Sequence, residues 1–486
     1  IKLLKTDGKY LGIIILSLMT LFLLTACDSG SSGDVLESET YSSSLEIGYL
    51  EEEELTALSI SVGEEIYSDL KENYQDGFVN LDLAGLETEV NVVVKHQDLH
   101  FTESEFKVDQ KDDGKIIGIY TTHVIVDETA GERFTLPETE PSFPQDGHKY
   151  TFYPGRYLFG RDFEIYNGDV TVESKTGSKN TIFEFKEDKY VKIGADNINF
   201  KGISIETIQA EDGTRAAFQI NQGTKNIRIE NSDFEGVFTQ PDVSGITIKN
   251  NIIHDGIYQG IHLDNNNSDV LIEANEIYDN FLYWSDKEDF GYEGIYVDEG
   301  SKKITIKDNI IRDNYGQGIA LVDSTANITN NTLKNNDFQA ILLWPGSKAV
   351  VENNLIKDNN SQAIYLLKNS EAEIKYNEIK NNAYGIQLRS EETVSNTIIN
   401  YNNLFINDDL SLFARKDDPE NPDESIPTDN ILNAENNWWG SNQLNEDNLE
   451  VKNESDKLII RGGVDYKPYA AEEIKEAGLK LIFYSQ

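Results

Sequence analysis

The chain has 486 residues and a formal net charge of −44, because 86 Asp and Glu residues outnumber 42 Lys and Arg residues. Nucleic-acid binding requires clustered cations that displace counterions, so this composition predicts no nucleic-acid partner. The single Cys excludes an internal disulfide, a cysteine-rich zinc site and an iron–sulfur cluster.

The first 26 residues have the three-part pattern of an export signal. Three lysines among the first nine residues precede an apolar run over residues 11–24, which is short for a membrane-spanning helix. The run ends in Leu-Thr-Ala-Cys at residues 24–27, where the only Cys of the chain stands. This pattern resembles a bacterial lipoprotein signal, which implies lipidation of Cys27 and a cell-membrane anchor that leaves the protein facing the exterior.

The next part of the chain changes from polar to β-rich. Residues 27–54 are polar and acidic and are predicted to form a linker. Residues 55–145 contain alternating segments, such as the apolar-polar pattern over residues 78–83, and are predicted to form a small β-rich domain. At the other end, residues 471–486 are predicted to be a tail with a short helix.

A repeat begins near residue 246 and continues to residue 404. In each unit an apolar-x-apolar strand is followed by a polar residue, an Asn and another apolar residue. The recurring asparagines are Asn251, Asn275, Asn309, Asn331, Asn354, Asn377 and Asn402. A period of about 23 residues is too short for paired helices, so each unit is predicted to be a coil of short strands stacked on its neighbours. The Asn is expected to take left-handed backbone geometry at a corner and to bond the Asn above and below.

Two further motifs mark the ends of the repeat. Tyr-Pro-Gly-Arg-Tyr occupies residues 153–157, and Asn-Asn-Trp-Trp-Gly occupies residues 436–440. With the repeat, they resemble the opening and closing segments of right-handed parallel β-helix repeat proteins of the pectate-lyase-like superfamily. The resemblance implies an all-β fold in which residues 146–470 form the β-helix. It implies little about activity, because the superfamily includes lyases, hydrolases, epimerases and non-enzymatic proteins.

One strand of each coil has the form small-Ile-X-Leu-Z, with X and Z pointing outward. These positions carry aromatic, acidic and amide side chains, which suit a sugar because pyranose rings stack on aromatics while hydroxyls bond acids and amides. The predicted substrate-binding residues, including one in the insertion below, are Tyr296, Trp284, Trp344, Tyr365, Gln387 and Arg389. An alternative is that another part of the chain covers the apolar patch around Trp344.

One coil carries an insertion. Gly294 follows Asn275 by 19 residues, whereas the corresponding interval in neighbouring coils is nine. The extra segment, residues 281–293, leads into the strand that carries Tyr296. Insertions in solenoids often lie on the binding face, so this one is predicted to overhang His262 and the acidic residues beside it.

The acidic residues beside His262 suggest two kinds of chemistry. Asp264 and Asp298 fall in one column on adjacent coils, so their carboxylates are predicted to lie about 5 Å apart. Such a pair favours a shared proton, a bound Ca²⁺, or the acid and base of glycoside hydrolysis. The predicted Ca²⁺ ligands are Asp264, Asp298, Asp286 and Glu293.

Proton abstraction beside a uronate carboxylate is the other candidate reaction. His262 and Tyr258 would exchange the proton, and Lys287 or a bound cation would neutralise the substrate carboxylate. The sequence therefore predicts a surface lipoprotein whose β-helix binds a polysaccharide. Cleavage or modification by a lyase, hydrolase or epimerase is left open. The alternative is a non-enzymatic envelope or adhesion protein that uses the β-helix as a rigid scaffold.

Overall fold

The computed structural model describes part of the chain. The described residues are 41–478 except 49, 51–54, 69, 76–77, 87–88, 97–99, 102–103, 123, 136–143, 187–188, 208–215, 281–291, 406, 408–411, 418–424, 428–429, 440–449, 453–456, 462–463, 466–469 and 471. Within these residues, no helix is long and apolar enough to cross a membrane. The predicted leader and Cys27 lie outside the described residues.

Three long sheets, numbered here 1 to 3, run side by side along a solenoid. Sheet 1 has 15 strands, in spatial order Glu132–Thr135, Val124–Asp127, Lys149–Phe152, Thr171–Ser174, Ile198–Lys201, Ile227–Glu230, Thr247–Lys249, Ser268–Glu273, Lys302–Lys307, Thr325–Thr329, Lys348–Glu352, Glu371–Lys375, Ile398–Asn400, Leu432–Asn433 and Val464–Asp465. Sheet 2 has 11 strands, Gly155–Phe159, Thr181–Phe185, Ser204–Thr207, Asp233–Phe234, Ile252–His254, Glu276–Tyr278, Ile310–Arg312, Thr332–Lys334, Leu355–Lys357, Glu378–Lys380 and Asn403–Phe405.

Sheet 3 carries the predicted binding face. Its 14 strands are Phe163–Ile165, Val191–Ile193, Phe218–Ile220, Val237–Thr239, Ile261–Leu263, Ile295–Val297, Ile319–Leu321, Ile341–Leu343, Gln362–Leu366, Tyr384–Arg389, Leu412–Asp417, Lys457–Arg461 and Glu450–Lys452, with Ser425–Pro427 beside Leu412–Asp417. Each coil contributes one strand to sheet 1, one to sheet 2 and one to sheet 3, in that order. Each strand pairs in parallel with the equivalent strand of the preceding coil.

Alternation along each short strand builds the core. Ile261 and Leu263 are fully buried while His262 between them is partly exposed. The same pattern holds for Ile295 and Val297 around Tyr296. Because side chains of a strand point alternately to the two faces, inward Ile, Leu and Val fill the solenoid and the middle residue faces outward.

A ladder of buried asparagines supports the corner between sheets 1 and 2. In each step the Asn side chain donates to the Oδ1 of the next Asn, at 2.9–3.1 Å. The ladder contains all seven predicted asparagines and extends to Asn437. The predicted backbone geometry was wrong by one residue. The left-handed φ belongs to the residue before each ladder Asn, as at Asn330 with φ 58°.

A second Asn ladder lies at the corner between sheets 2 and 3, and the sequence analysis did not predict it. It contains Asn280, Asn314, Asn336, Asn359, Asn382 and Asn407, joined at 2.8–3.2 Å. Each of the first five follows a residue with positive φ, as Asn280 follows Asp279. The corner next to the binding face is thus as regular as the opposite one.

The N-terminal region forms two small sheets of its own. The first has the strands Tyr74–Gln75, Phe78–Leu86, Tyr41–Gly48, Ile116–Thr122 and His100–Phe101, and the second has Glu65–Tyr67, Ser59–Val62, Val90–Lys95 and Glu105–Val108. Tyr41–Gly48 fell in the predicted linker, and that boundary was wrong. Its serines gave it a polar composition, yet Leu45 and Ile47 are fully buried.

Helical structure is sparse in the described residues. One α-helix spans Glu391–Ser395, begins at the cap Ser390, and is accompanied by 3₁₀ turns at Lys71–Asn73 and Gln110–Asp112. In the tail, the described residues 472–478 form turns and bends, and the rest of the predicted tail lies outside the described residues. Asn403 Nδ2 donates to the carbonyl of Ile474 at 3.0 Å, which fastens this segment to the last strand of sheet 2.

Candidate functional site

The connections between sheets 2 and 3 differ sharply in length beside the predicted site. The chain crosses this corner with residues 208–217, 235–236, 255–260 and 279–294 in four successive coils. In chain order, the two shorter connections therefore lie between two longer ones. The strands Val237–Thr239 and Ile261–Leu263 follow the two shorter crossings.

Three stacked side chains occupy the outer face at this step. Phe238, His262 and Tyr296 are paired in register on adjacent strands. The His262 ring centroid lies 5.0 Å from that of Phe238 and 5.0 Å from that of Tyr296, with edge-to-face geometry on both sides. Because a ring on each side restricts its rotamers, His262 is held in a fixed orientation.

Two carboxylates lie beside this stack at the ends of the strands. One ligand atom from each of His262, Asp264 and Asp298 can be chosen so that all three lie within 4.8 Å of one another. His262 Nε2 is 4.0 Å from Asp298 Oδ2, and both side chains are partly exposed. The Asp264–Asp298 spacing agrees with stacking on adjacent coils.

Each of these aspartates also organises its own turn. Asp264 Oδ1 accepts the backbone N–H of Asn265 at 2.7 Å, and Asp298 Oδ1 accepts that of Glu299 at 2.9 Å. The buried Thr239 adds support from the preceding coil, since its Oγ1 accepts the backbone N–H of Asp264 at 3.0 Å. The carboxylates are therefore positioned by the backbone before any ligand binds.

Burial changes the proton affinity of Tyr296 and Glu293. Burial, followed by the charges of Asp298 and Glu293, raises the pKa of Tyr296 to about 12. The phenol therefore keeps its proton and acts as a hydrogen-bond donor over the neutral pH range. Burial also raises the pKa of Glu293, whose Oε2 accepts from Gln259 Nε2 at 3.2 Å.

Glu293 does not join the cluster to which the sequence prediction assigned it. It is only 3 % exposed and bonds Gln259, so it lies inside the corner rather than beside Asp264 and Asp298. The reason is its position directly before the small residue Gly294, where the chain enters the strand. Among the described residues, the group that could hold a metal ion is therefore His262, Asp264 and Asp298, without Glu293.

A depression of about 150 Å³ opens at the stack. It is lined by Val237, Phe238, Tyr258, Gln259 and His262. Tyr258 and His262, predicted as partners in proton exchange, therefore share one cavity. Trp284, Asp286 and Lys287, predicted in the insertion, lie outside the described residues, and their roles stay predictions.

The remaining predicted residues lie further along sheet 3. Trp344, Tyr365, Gln387 and Arg389 belong to coils two to four steps beyond Tyr296. Arg389 Nη1 donates to the Tyr365 hydroxyl at 3.3 Å, so these two form a local pair. Between them and the stack, the outward positions are filled by Ala320 and Leu342, which are buried. The predicted binding residues therefore do not form one continuous open face, because Ala320 and Leu342 separate Tyr296 from Tyr365 and Arg389.

Three residues at this site were not predicted from the sequence. Phe238 and Thr239 belong to a coil that was skipped, and Glu235 occupies its two-residue corner. Glu235 accepts from the Thr207 backbone N–H at 3.1 Å and from the Thr207 hydroxyl. Burial raises the pKa of Glu235 to about 7, against the opposing hydrogen bonds.

A larger depression, of about 480 Å³, lies on sheet 1. Its floor contains the in-register alanines Ala326, Ala349 and Ala372, and its rim includes the ion pair between Lys348 and Glu371. Its rim charges are paired, so the stronger candidate is the sheet 3 site, where titratable groups and aromatic rings converge.

Comparison with known proteins agrees with this architecture. Residues 180–353 and 339–414 match the family described as the right handed beta helix region. The predicted right-handed parallel β-helix is therefore confirmed, and the small N-terminal sheets agree with the predicted β-rich region. No curated protein sequence matches the chain significantly.

Several solved structures resemble the chain at low identity. The periplasmic alginate epimerase AlgG has a TM-score of 0.37 and 13% identity, over 68% of this chain and 81% of that chain. The pectate lyase Pel9A has a TM-score of 0.35 and 12% identity, over 54% and 72%. The Streptococcus pneumoniae surface protein and adhesin PfbA has a TM-score of 0.38 and 12% identity, over 66% and 90%. We draw no activity from similarities of this size.

Proposed function

We propose that the sheet 3 site binds a polysaccharide. The observation that carries the proposal is the stack of Phe238, His262 and Tyr296, which lies beside Asp264 and Asp298 at an open depression. Aromatic rings offer the apolar surface on which a pyranose packs, and carboxylates accept hydrogen bonds from its hydroxyls.

The protonation state of Tyr296 suits a role in turnover as well as binding. A pKa of about 12 keeps the phenol protonated, so it can donate a proton or a hydrogen bond to a glycosidic or ring oxygen. Tyr258 lines the same depression and offers a second hydroxyl. We propose that the site modifies or cleaves the bound glycan. Assays for reducing ends and unsaturated uronates would identify the bond acted on.

The test is binding of the purified full chain to arrays of plant, algal and bacterial glycans, with assays for reducing ends and unsaturated uronates. Tyr296→Ala is expected to reduce binding at least tenfold. Tyr315→Ala is the matched control, since Tyr315 is 54% exposed at a neighbouring corner. No binding to any glycan, or equal binding by Tyr296→Ala, would overturn the proposal.

We also propose that the chain is tethered outside a cell membrane through a lipid on Cys27. The support is the sequence pattern that ends in Leu-Thr-Ala-Cys. Metabolic labelling with a radioactive fatty acid is expected to mark the wild-type chain and to leave Cys27→Ala unmarked. Equal labelling of both chains would contradict the anchor.

A second candidate function is a non-enzymatic adhesion scaffold. The observation in its favour is that Asp264 and Asp298 each bond a backbone N–H of their own turn, which explains both residues without a ligand. This function predicts that Tyr296→Ala changes neither glycan binding nor turnover, while attachment of cells that carry the protein to a surface persists.

A further inference from the structure

The spacing of three side chains on sheet 3 fits a metal ion. His262 Nε2 and Asp298 Oδ2 are 4.0 Å apart, which is too long for a hydrogen bond. A metal bound at about 2.1 Å to each of two ligand atoms spans at most about 4.2 Å between them. Asp264 offers a third ligand atom within 4.8 Å of the other two, so a small rotation of its side chain would complete the set.

The three groups are already fixed in position. Rings on both sides hold His262, at centroid distances of 5.0 Å each. One oxygen of Asp264 and one of Asp298 bond their own turns, which leaves each carboxylate a second oxygen for a ligand. Ligands that do not have to reorganise bind a metal more tightly, because their ordering entropy is already lost on folding.

The donor set selects the kind of metal. Ca²⁺ takes six to eight oxygen ligands, whereas imidazole suits first-row transition metals such as Zn²⁺. Glu293, expected as a further oxygen ligand, is buried against Gln259 and does not supply one. We propose that His262, Asp264 and Asp298 bind one divalent transition metal, and that this ion holds an anionic polysaccharide on the sheet 3 site. The proposal rests on the proposed function of that site.

Charge explains why the ion and an anionic polymer would bind together. The chain has a formal charge of −44 and repels a polyanion. A divalent ion is the largest local charge in its surroundings and reverses this repulsion at one point. The Asp298 side chain is 26% exposed, so a substrate carboxylate or a pair of hydroxyls can approach an ion bound beside it. Three protein ligands leave a coordination position for it.

The metal is tested first, without any glycan. The full chain, treated with a chelator and then dialysed, is titrated calorimetrically with Zn²⁺, Mn²⁺ and Ca²⁺. We expect one Zn²⁺ per chain and weaker binding of Ca²⁺. His262→Ala and Asp298→Asn should each weaken Zn²⁺ binding about tenfold or more. Asp323→Asn, at an exposed position elsewhere on the solenoid, and His254→Gln, at a partly buried position on sheet 2, should leave it unchanged.

Two readouts keep this test decisive. Asp298→Asn keeps the turn acceptor and the side-chain shape, so a folded variant is available if His262→Ala misfolds. Visible absorption of the Co²⁺-loaded chain reports directly on coordination, and His262→Ala should change its bands. Tighter binding of Ca²⁺ than of Zn²⁺, or Zn²⁺ affinity unchanged in both variants, would overturn the metal site.

The glycan arm separates this inference from the proposed function. Binding of polygalacturonate and of neutral dextran is measured with chelator and with added Zn²⁺. We expect polygalacturonate binding only with Zn²⁺. Zn²⁺ binding without any glycan binding would leave the metal site standing and contradict the proposed function. Polygalacturonate binding that is equal with chelator would overturn the bridging ion while supporting the glycan site.

Discussion

Asn309 donates two hydrogen bonds to the side-chain oxygen of Asn331. Its side-chain Nδ2 donates to Asn331 Oδ1 at 2.9 Å, and its backbone N–H donates to the same oxygen at 3.0 Å. Asn331 repeats both contacts with Asn354. One amide oxygen therefore accepts hydrogen bonds from two buried donors of the coil before it. Each coil thus depends on the next coil for the hydrogen bonds of its corner.

Asn331→Ala is expected to lower the free energy of unfolding by about 2–4 kcal/mol, because it leaves buried donors and an acceptor unsatisfied. The Ile306 carbonyl would lose its 2.9 Å bond, and Asn309 would lose its acceptor. Urea denaturation followed by circular dichroism measures the change. Asn327→Ala, at an exposed position on the same coil, is the control and should change stability by less than about 0.5 kcal/mol.

Gly294→Ala is expected to destabilise the fold by about 1–3 kcal/mol. A Cβ on Gly294 would lie 2.8 Å from the Gly318 carbonyl oxygen and 2.8 Å from Ile311 Cγ2, which is closer than packed atoms approach. Gly160→Ala is the matched control, because nothing lies within 4 Å of its added Cβ. Thermal melts of the two variants should differ, and equal melting temperatures would contradict the predicted clash.

Glu235→Gln should change how stability depends on pH between about 4.5 and 7. Burial raises the pKa of Glu235 from its ordinary 4.5 to about 7. The neutral acid is favoured in the folded state, so its contribution is full below pH 4.5 and is lost as pH rises through 7. The wild-type urea midpoint should fall across this window relative to that of Glu235→Gln. Parallel curves for the two proteins would argue against the raised pKa.

His254→Gln should act in a higher pH window. A hydrogen bond to Asp233, reinforced by Asp255, raises the pKa of His254 from its ordinary 6.5 to about 9. The stabilisation is therefore full below pH 6.5 and is lost as pH rises through 9. An NMR titration of the His254 ring should give a midpoint near pH 9, and the stability difference from His254→Gln should disappear above it. A midpoint at 6.5 would contradict the ion pairs.

Phe238→Ala should weaken glycan binding about five- to tenfold, because a stacked ring contributes about 1 kcal/mol or slightly more. The same substitution should free His262 to take other rotamers, since one of its two ring contacts is lost. Phe338→Ala is the control, because Phe338 is 51% exposed at another corner. Isothermal titration of both variants with the best glycan from the array measures the difference.

The Asn251-to-Asn402 repeat was enough to predict the coil, because a buried amide at a fixed corner needs an identical partner one period away. The Asn280 ladder has the same period, yet it was missed because the residues that precede it vary between Asp and Asn. The left-handed residue at each corner was predicted one position too far along the chain. The reason is that Asn occupies both the left-handed position and the ladder position in several coils.

The site was less predictable than the fold. His262 and Tyr296 share one column and Asp264 and Asp298 share another two residues further on, so their proximity follows from the period alone. Phe238 escaped because its coil has a two-residue corner and ends in Thr239 rather than Leu, which breaks the repeated phrase. Glu293 was misplaced because sequence spacing does not show whether a side chain at a corner turns inward or outward.

Because the three sheets share one register, the solenoid can become longer or shorter by whole coils. Excision of residues 309–330 would join Asp308 directly to Asn331, the next Asn of the ladder. Every remaining strand would then still pair in parallel with a strand of the adjacent coil. The solenoid would shorten by one strand spacing, about 4.8 Å, without a change in cross-section. Its length is therefore adjustable by duplication or loss of single coils, and the two ends can be moved apart in uniform increments while the surfaces that they carry stay intact.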